Sequence, residues 1–455
     1  MQEANEVSVA STESGTVGVL QSEAPKRSVS SVAKSIVTPL RNRNFCLLFS
    51  GQGISTLGDG VYTVALPWIV LSSGGNAQEL GLILSAYGVP RLLTLLLGGM
   101  LSDRFSPRVI MLIADIARTV LLGLLAFIVA GGHLSLPLLF AFVIGLGLFT
   151  GLFVPATYSI LPDILPKAEL QAGNALNSSM LQIATLLGSA LAGVVIARLQ
   201  AGSALALDAL TFAVSAVTLA AMRSAQRAVS AQPSAESKPA DAAQAETASS
   251  AAQTLEPDEK SLTFTRFFRE SRLLQITLLI VALTFLVSGG TMGVALPAYA
   301  LGPLAAGANG IGLVLAIFGA GELIGGLAAG GLGHLPHRPM IVLILQLGQA
   351  ITFVLLPIFA NVAWAFTILA LAGLLNGLMN VIYFTLIQEM FPNRFMGRIW
   401  GIVMFATYGL YPLSVLLGGL ITTRFGANLV FIAGGCILAL AAIMGLLSRE
   451  LREIN

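Results

Sequence analysis

The chain has 455 residues, of which 56% are hydrophobic and 10% charged, and its formal net charge is +2 at pH 7. A soluble domain carries about 25% charged residues, so a water-soluble enzyme or nucleic-acid-binding protein is excluded. The mean hydropathy is +0.86, and the apolar residues fall in runs of about 20, each able to cross a ~30 Å hydrocarbon core as a helix. None alternates as a barrel strand does, so the runs predict helices.

In chain order, residues 1–40 form a hydrophilic tail rich in Ser, Glu and Val, too long and mixed for the n-region of a signal peptide. Six spans are predicted in residues 41–222, at Phe45–Leu71, Leu80–Leu101, Arg108–Val129, Leu136–Tyr158, Asn174–Ala197 and Ala204–Met222. Residues 223–270 are Ala/Ser/Glu/Pro-rich, which predicts a mostly disordered linker. Thr263–Arg272 mixes Phe with Arg and is expected along the membrane surface. Six further spans are predicted in residues 271–449, at Leu273–Ala300, Gly310–Leu332, Met340–Phe359, Ala363–Thr385, Ile399–Thr422 and Ala427–Leu447, before a short tail at 450–455. Cys46 and Cys436 lie in apolar runs and suggest neither a disulfide nor a metal site.

The two halves repeat. VALP at Val64–Pro67 returns at Val294–Pro297, and Gly81, Gly88, Gly99 and Leu101 return as Gly312, Gly319, Gly330 and Leu332 at one constant offset. Pro166 and Gly193 return as Pro392 and Gly419. The predicted fold is an all-α polytopic membrane protein of twelve transmembrane helices in two parallel-repeat six-helix bundles. Among Lys and Arg outside the spans, only Arg198 and Arg424 fall on one side, so both termini and the linker are expected in the cytoplasm, with the chain in the plasma (inner) membrane.

The polar hinge between the second and third runs is GGMLSDRFSPR, Gly98–Arg108. Its Gly99, Leu101, Asp103, Arg104 and Arg108 resemble the loop-2/3 signature of the major facilitator superfamily, with Ser106 and Pro107 replacing its usual Gly and first basic residue. The resemblance implies a cytoplasmic gate. Gly99 permits close helix approach, Asp103 can accept from a helix N-terminus, and the arginines can hold carboxylates or phosphates. The second copy, GGLGHLPHR, has His334 in place of Asp103, so one intact latch is expected. Arg41–Trp68, Phe153–Pro166 and Leu207–Ala216 resemble the drug-exporter branch that includes macrolide efflux proteins and the enterobactin exporter. Gly188–Gly193 resembles an exporter motif, with Ser189 for Pro and Ala192 for Gly, while span 4 lacks the Arg of a related drug–proton branch.

Six ionisable groups fall within predicted spans, and each is a functional candidate because it is costly there. Asp59, in Gly58-Asp59-Gly60, suits proton coupling, anchorage of a cationic substrate, or a structural hydrogen bond. Arg91 and Glu322 occupy equivalent repeat positions with opposite charge, either lining the central cavity or holding the bundles together. Asp115 and Arg118, spaced i, i+3, can form an ion pair that braces the latch. Asp208 is expected near the external end of span 6, close to water and structural. Gln52, Tyr62, Asn376, Asn380 and Tyr383 are uncharged cavity candidates or interhelical hydrogen-bonding groups.

No P-loop, catalytic cluster or metal set stands out, so neither enzymatic activity nor a cofactor is expected. Together with the resemblance, these groups imply proton-coupled export of an amphipathic or hydrophobic small molecule by alternating access. The expected partners are the small molecule, protons and membrane lipids, without nucleic acid, and the expected state is a monomer. A lipid or lysophospholipid flippase, an importer of the same fold, and a non-transporting membrane sensor or scaffold are the alternatives.

Overall fold

The structure is a computed structural model and describes residues 38–166, 169–223, 264–332, 337–391 and 396–452. Nearly all of the predicted tail and linker, together with His334 and Pro392, lies outside the described residues. Among the described residues there is no strand.

Span 1 is Arg43–Ser72, span 2 Ala77–Arg104, span 3 Pro107–Ala130 and span 4 Leu136–Ile164. Spans 5 and 6 share the helical stretch Leu170–Ala221, broken at Gln200. Span 7 is Arg272–Leu301, span 8 Gly307–Gly331, span 9 Arg338–Ile358, span 10 Val362–Met390, span 11 Arg398–Phe425 and span 12 Ala427–Leu447. Among the described residues, eleven helices are long and apolar enough to cross a membrane. Counting the two parts of Leu170–Ala221 separately gives the twelve crossings predicted.

The helix starts follow local chemistry. Asn42 accepts from the amides of Asn44 and Phe45, Asn76 and Glu79 form a reciprocal capping box, and Asn361 accepts from Ala363 and Trp364. Proline occupies the first turn of spans 3, 4 and 9, where its missing N–H costs nothing. Span 7 widens into a π-helical turn at Thr291–Ala295, just ahead of Pro297. Pro297 lacks the N–H that Gly293 would normally accept from, which favours a local change of helix register.

Spans 1–6 form one bundle and spans 7–12 the other, with equivalent packing in each. Span 1 packs on spans 5 and 6 as span 7 packs on 11 and 12, and span 2 packs on span 4 as span 8 packs on span 10. The last two pairs share one contact. A Cβ on Gly151 would lie 2.3 Å from the Arg91 carbonyl oxygen, and one on Gly377 would lie 2.0 Å from that of Glu322. Those separations are well below van der Waals contact, so only glycine lets the backbones meet there.

The bundles meet along spans 2 and 11 and along spans 5 and 8. With twelve crossings, both chain ends fall on one side, called here the terminal end; the opposite side is the distal end. Four repeat-related glycines make the distal crossings. Cβ atoms on Gly81 and Gly419 would approach the Val415 and Ala77 carbonyl oxygens to 2.4 and 2.6 Å. Cβ atoms on Gly312 and Gly193 would approach the Ser189 oxygen and Asn309 Cα to 2.7 and 3.0 Å. The Gln78 amide also donates to Thr423 Oγ1 across this seam at 2.8 Å. The largest apolar core joins both bundles here, through Leu80, Val294, Ile311 and Val415.

Candidate functional site

Between the bundles lies a cavity of about 610 Å³. Its walls come from spans 1, 2, 3, 4 and 5 on one side and 7, 8 and 11 on the other. It runs from the closed distal crossings toward Leu161, Asn174 and Asn177, near the terminal ends of spans 4 and 5.

The sequence around Asp59 explains its position. A Cβ on Gly58 would lie 2.0 Å from Thr211 Oγ1 and 2.3 Å from Asp208 Oδ1, so this face of span 1 must be bare to seat span 6. Gly60 does the same against span 5, where the Thr185 oxygen would be 2.7 Å away. With two faces held against neighbouring helices, the residue between them points to the third. Asp59 is exposed to the cavity, and among the described residues no hydrogen bond is made by its carboxylate. Gln52 and Tyr62, on the same helix, line the cavity too.

Arg91 reaches the cavity from span 2, with its guanidinium 4.7 Å above the Tyr408 ring of span 11 and 5.7 Å from that of Tyr87. It is therefore both a cavity wall and a contact between bundles. Asp115 and Arg118 form the ion pair expected from their spacing, at 0% and 3% exposure. Ser215 donates to the second Asp115 oxygen at 2.6 Å. The Arg118 guanidinium is held between Phe153 and Phe212, 4.3 and 4.1 Å from their ring centres. Arg118 also lines the central cavity, a position its spacing from Asp115 does not disclose.

Two expectations are corrected. Asp208 is not near water but wholly buried, because its side chain faces the Gly58 crossing instead of the distal surface. Thr211 donates weakly to one of its oxygens at 3.4 Å, and Asp208, Asp59 and Arg118 line one small cleft. Glu322 does not line the central cavity. With Asn376, Asn380 and Tyr383 it faces a separate cavity of about 310 Å³ inside the second bundle. The repeat equates the backbones of Arg91 and Glu322, but their side chains leave those backbones toward different spaces.

The proposed gate is described in part. The surroundings of Gly99 and the side chains of Asp103 and Arg104 lie outside what the structure describes. Leu101 packs against the terminal-end core of the first bundle. Arg108 donates to the carbonyl oxygens of Leu219 and Ala220, both at 2.8 Å, at the last turn of span 6. A cation is favoured at that helix end.

Residues passed over in the sequence complete the cavity. Tyr408 and Tyr411 of span 11, and Asn174 and Asn177 of span 5, line it. Their i, i+3 spacing, which puts paired polar groups on one face of an apolar helix, was the available signal.

The model of the Major Facilitator Superfamily matches residues 48–410, and again 278–454. The chain belongs to the Major Facilitator Superfamily. It is 27% identical over 441 residues to the multidrug efflux pump Tap of Mycobacterium tuberculosis, covering 91% of this chain and 96% of that one. It is 24% identical over 364 residues to the enterobactin exporter EntS of Salmonella choleraesuis, covering 79% and 80%. Among solved structures, a point mutant of the nucleoside transporter NupG superimposes with a TM-score of 0.67 at 11% identity, covering 89% of this chain and 99% of that one. A bacterial homologue of the human lysosomal transporter Spinster does so with a TM-score of 0.65 at 14% identity, covering 91% and 98%. The fold is thus that of this superfamily, and the chain is one of its multi-pass membrane transporters.

Proposed function

We propose that this transporter exports an amphipathic or hydrophobic small molecule from the cytoplasm across the plasma membrane, driven by protons moving inward. The bundles rock about the central cavity to give alternating access. The observation that carries this reading is Asp59, a carboxylate on the wall of a large central cavity with no hydrogen-bond partner among the described residues. Such a group can exchange a proton, or a substrate cation, without dismantling a network. Arg91 and Arg118 line the same cavity, so a change of charge on Asp59 alters a local balance that both arginines share.

The asymmetry of Lys and Arg makes the terminal end cytoplasmic. The conformation is then closed to the outside by the glycine crossings. Gly99, Leu101, Asp103, Arg104 and Arg108 form the cytoplasmic gate, with Arg108 anchoring it to span 6. The names of Tap and EntS support export of drug-like or siderophore-like molecules.

Everted membrane vesicles, offered a panel of dyes, macrolides and siderophores in the outside medium, test the proposal. Uptake of at least one compound is expected to rise when an inward-acid gradient is imposed. Asp59→Asn is expected to lower that uptake at least about tenfold with unchanged protein level. Uptake indifferent to both the gradient and the substitution sinks proton coupling through Asp59.

A further inference from the structure

The cavity inside the second bundle has a different character from the central one. Its volume is about 310 Å³, its walls come from spans 7 to 11 and from Leu451 of the short helix Arg449–Arg452, and most of them are apolar. Among the described residues, Glu322 is its one acidic group, and no lysine, arginine or histidine lines it. The central cavity, by contrast, has Asp59 with both Arg91 and Arg118 on its walls. Span 8 supplies Glu322, and span 10 supplies Tyr383, the only other titratable side chain among the described residues that faces this space; spans 7, 9 and 11 supply none, and the helix Arg449–Arg452 contributes Leu451 alone.

The contacts of Glu322 leave most of its bonding capacity unused. Asn380 donates to it at 3.4 Å, the long limit of a hydrogen bond, and donates at 2.8 Å to Asn376 instead. Other polar atoms on these walls are buried without hydrogen-bond partners among the described residues: the Gln349 side-chain oxygen, the Tyr383 hydroxyl and the Thr277 hydroxyl. Gln349 is 2% exposed and lies beside the equally buried Gln346. A buried polar atom left unpaired costs about 1–3 kcal/mol, and a lone carboxylate in a low-dielectric bundle costs more. The walls therefore present a carboxylate, the acceptor oxygen of Gln349 and two hydroxyls that can donate or accept, around an apolar volume.

We propose that this cavity is a second ligand site, distinct from the central one, for a small apolar amine bound as its ammonium ion. The ammonium donates to Glu322 and to the Gln349 oxygen, while the hydrocarbon part fills the space among Phe318, Phe353 and Val342. Met292, on the π-helical turn of span 7, lines both cavities and forms part of the wall between them. A flexible thioether adapts to either neighbour, so occupancy of one cavity is felt in the other at Met292.

The test uses full-length protein in detergent micelles and two probes of nearly equal shape, 1-naphthylmethylamine and 1-naphthylmethanol, with binding read from naphthyl fluorescence. Wild type is expected to bind the amine at least about tenfold tighter than the alcohol, the usual scale of a hydrogen-bonded charge contact. Glu322→Gln is expected to equalise the two. Asp59→Asn is expected to keep the preference, which separates this site from the proton-coupling site proposed above. Ser288→Phe, which fills the cavity and leaves Glu322 in place, is expected to abolish binding of both probes and decides the matter if Glu322→Gln does not fold. Equal affinities in wild type, or a preference lost in Asp59→Asn and kept in Glu322→Gln, overturns the proposal.

Discussion

Arg118 sits between aromatic rings of the first bundle at the edge of the central cavity, and its ion pair with Asp115 is buried. Removing one partner of such a pair leaves the other charged and buried. Arg118→Ala is expected to destabilise the protein by about 3–5 kcal/mol, read as a fall in the thermal unfolding midpoint. The double variant Asp115→Asn/Arg118→Met is expected to recover a large part of that loss. Equal midpoints for the two variants would show that the pair is not the source. At this scale the sequence was readable where neighbours constrain direction: the flanking glycines of Asp59 leave its side chain one free face. It was not readable for Asp208 or Glu322, because a helix whose whole circumference is apolar gives no periodicity from which to infer rotation.

The turns between spans 5 and 6 and between spans 11 and 12 are the same device. Gln200 has φ 70 and ψ 169, and Gly426 has φ 85 and ψ 160. They are repeat equivalents at the offset that relates Gly193 to Gly419, and each reverses the chain through a single residue. This backbone region is essentially confined to glycine, and another residue pays about 1–3 kcal/mol. Gln200→Gly is therefore expected to raise stability by about 1 kcal/mol after the entropy gained by the unfolded chain, and Gly426→Gln to lower it. Thermal unfolding of both variants checks the sign. A repeat found by residue identity cannot expose this equivalence, since one copy has lost its glycine. The positions of the spans were otherwise legible from the apolar runs; span 9, expected at Met340–Phe359, is Arg338–Ile358. The π-helical turn in span 7 was not, because the same VALP lies in regular helix in span 1.

For the whole molecule, closure at the distal end rests on backbone meeting backbone at four glycines, with a polar tie between Gln78 and Thr423. A side chain at these crossings acts as a wedge. Gly312→Leu is expected to shift the population toward a distally open form. A cysteine replacing Thr63, which faces the central cavity, in a background lacking Cys46 and Cys436, reports the change. In intact cells, a membrane-impermeant maleimide is expected to label it several-fold faster when Gly312→Leu is present. Unchanged labelling would place the closing contact elsewhere. The two-bundle plan was legible from the constant offset of the glycines; that the same glycines form the seam was not, because sequence spacing does not say which helices face each other.

The glycine contacts at Arg91 and Glu322 have a consequence of their own. At each position the helix is docked by its carbonyl oxygen onto a bare patch of the next helix, at Gly151 and Gly377. The close backbone approach does not involve the side chain, which accepts a long hydrogen bond from Asn380 at Glu322 and makes ring contacts with Tyr87 and Tyr408 at Arg91. Residues 91 and 322 are thus sockets in a fixed frame, and their contents can be exchanged without moving the helices that carry them. A lineage built on this frame can revise what either cavity attracts by single substitutions at these sites while the helix pairs within each bundle stay docked, although at residue 91 the contact with Tyr408 of the other bundle changes with it.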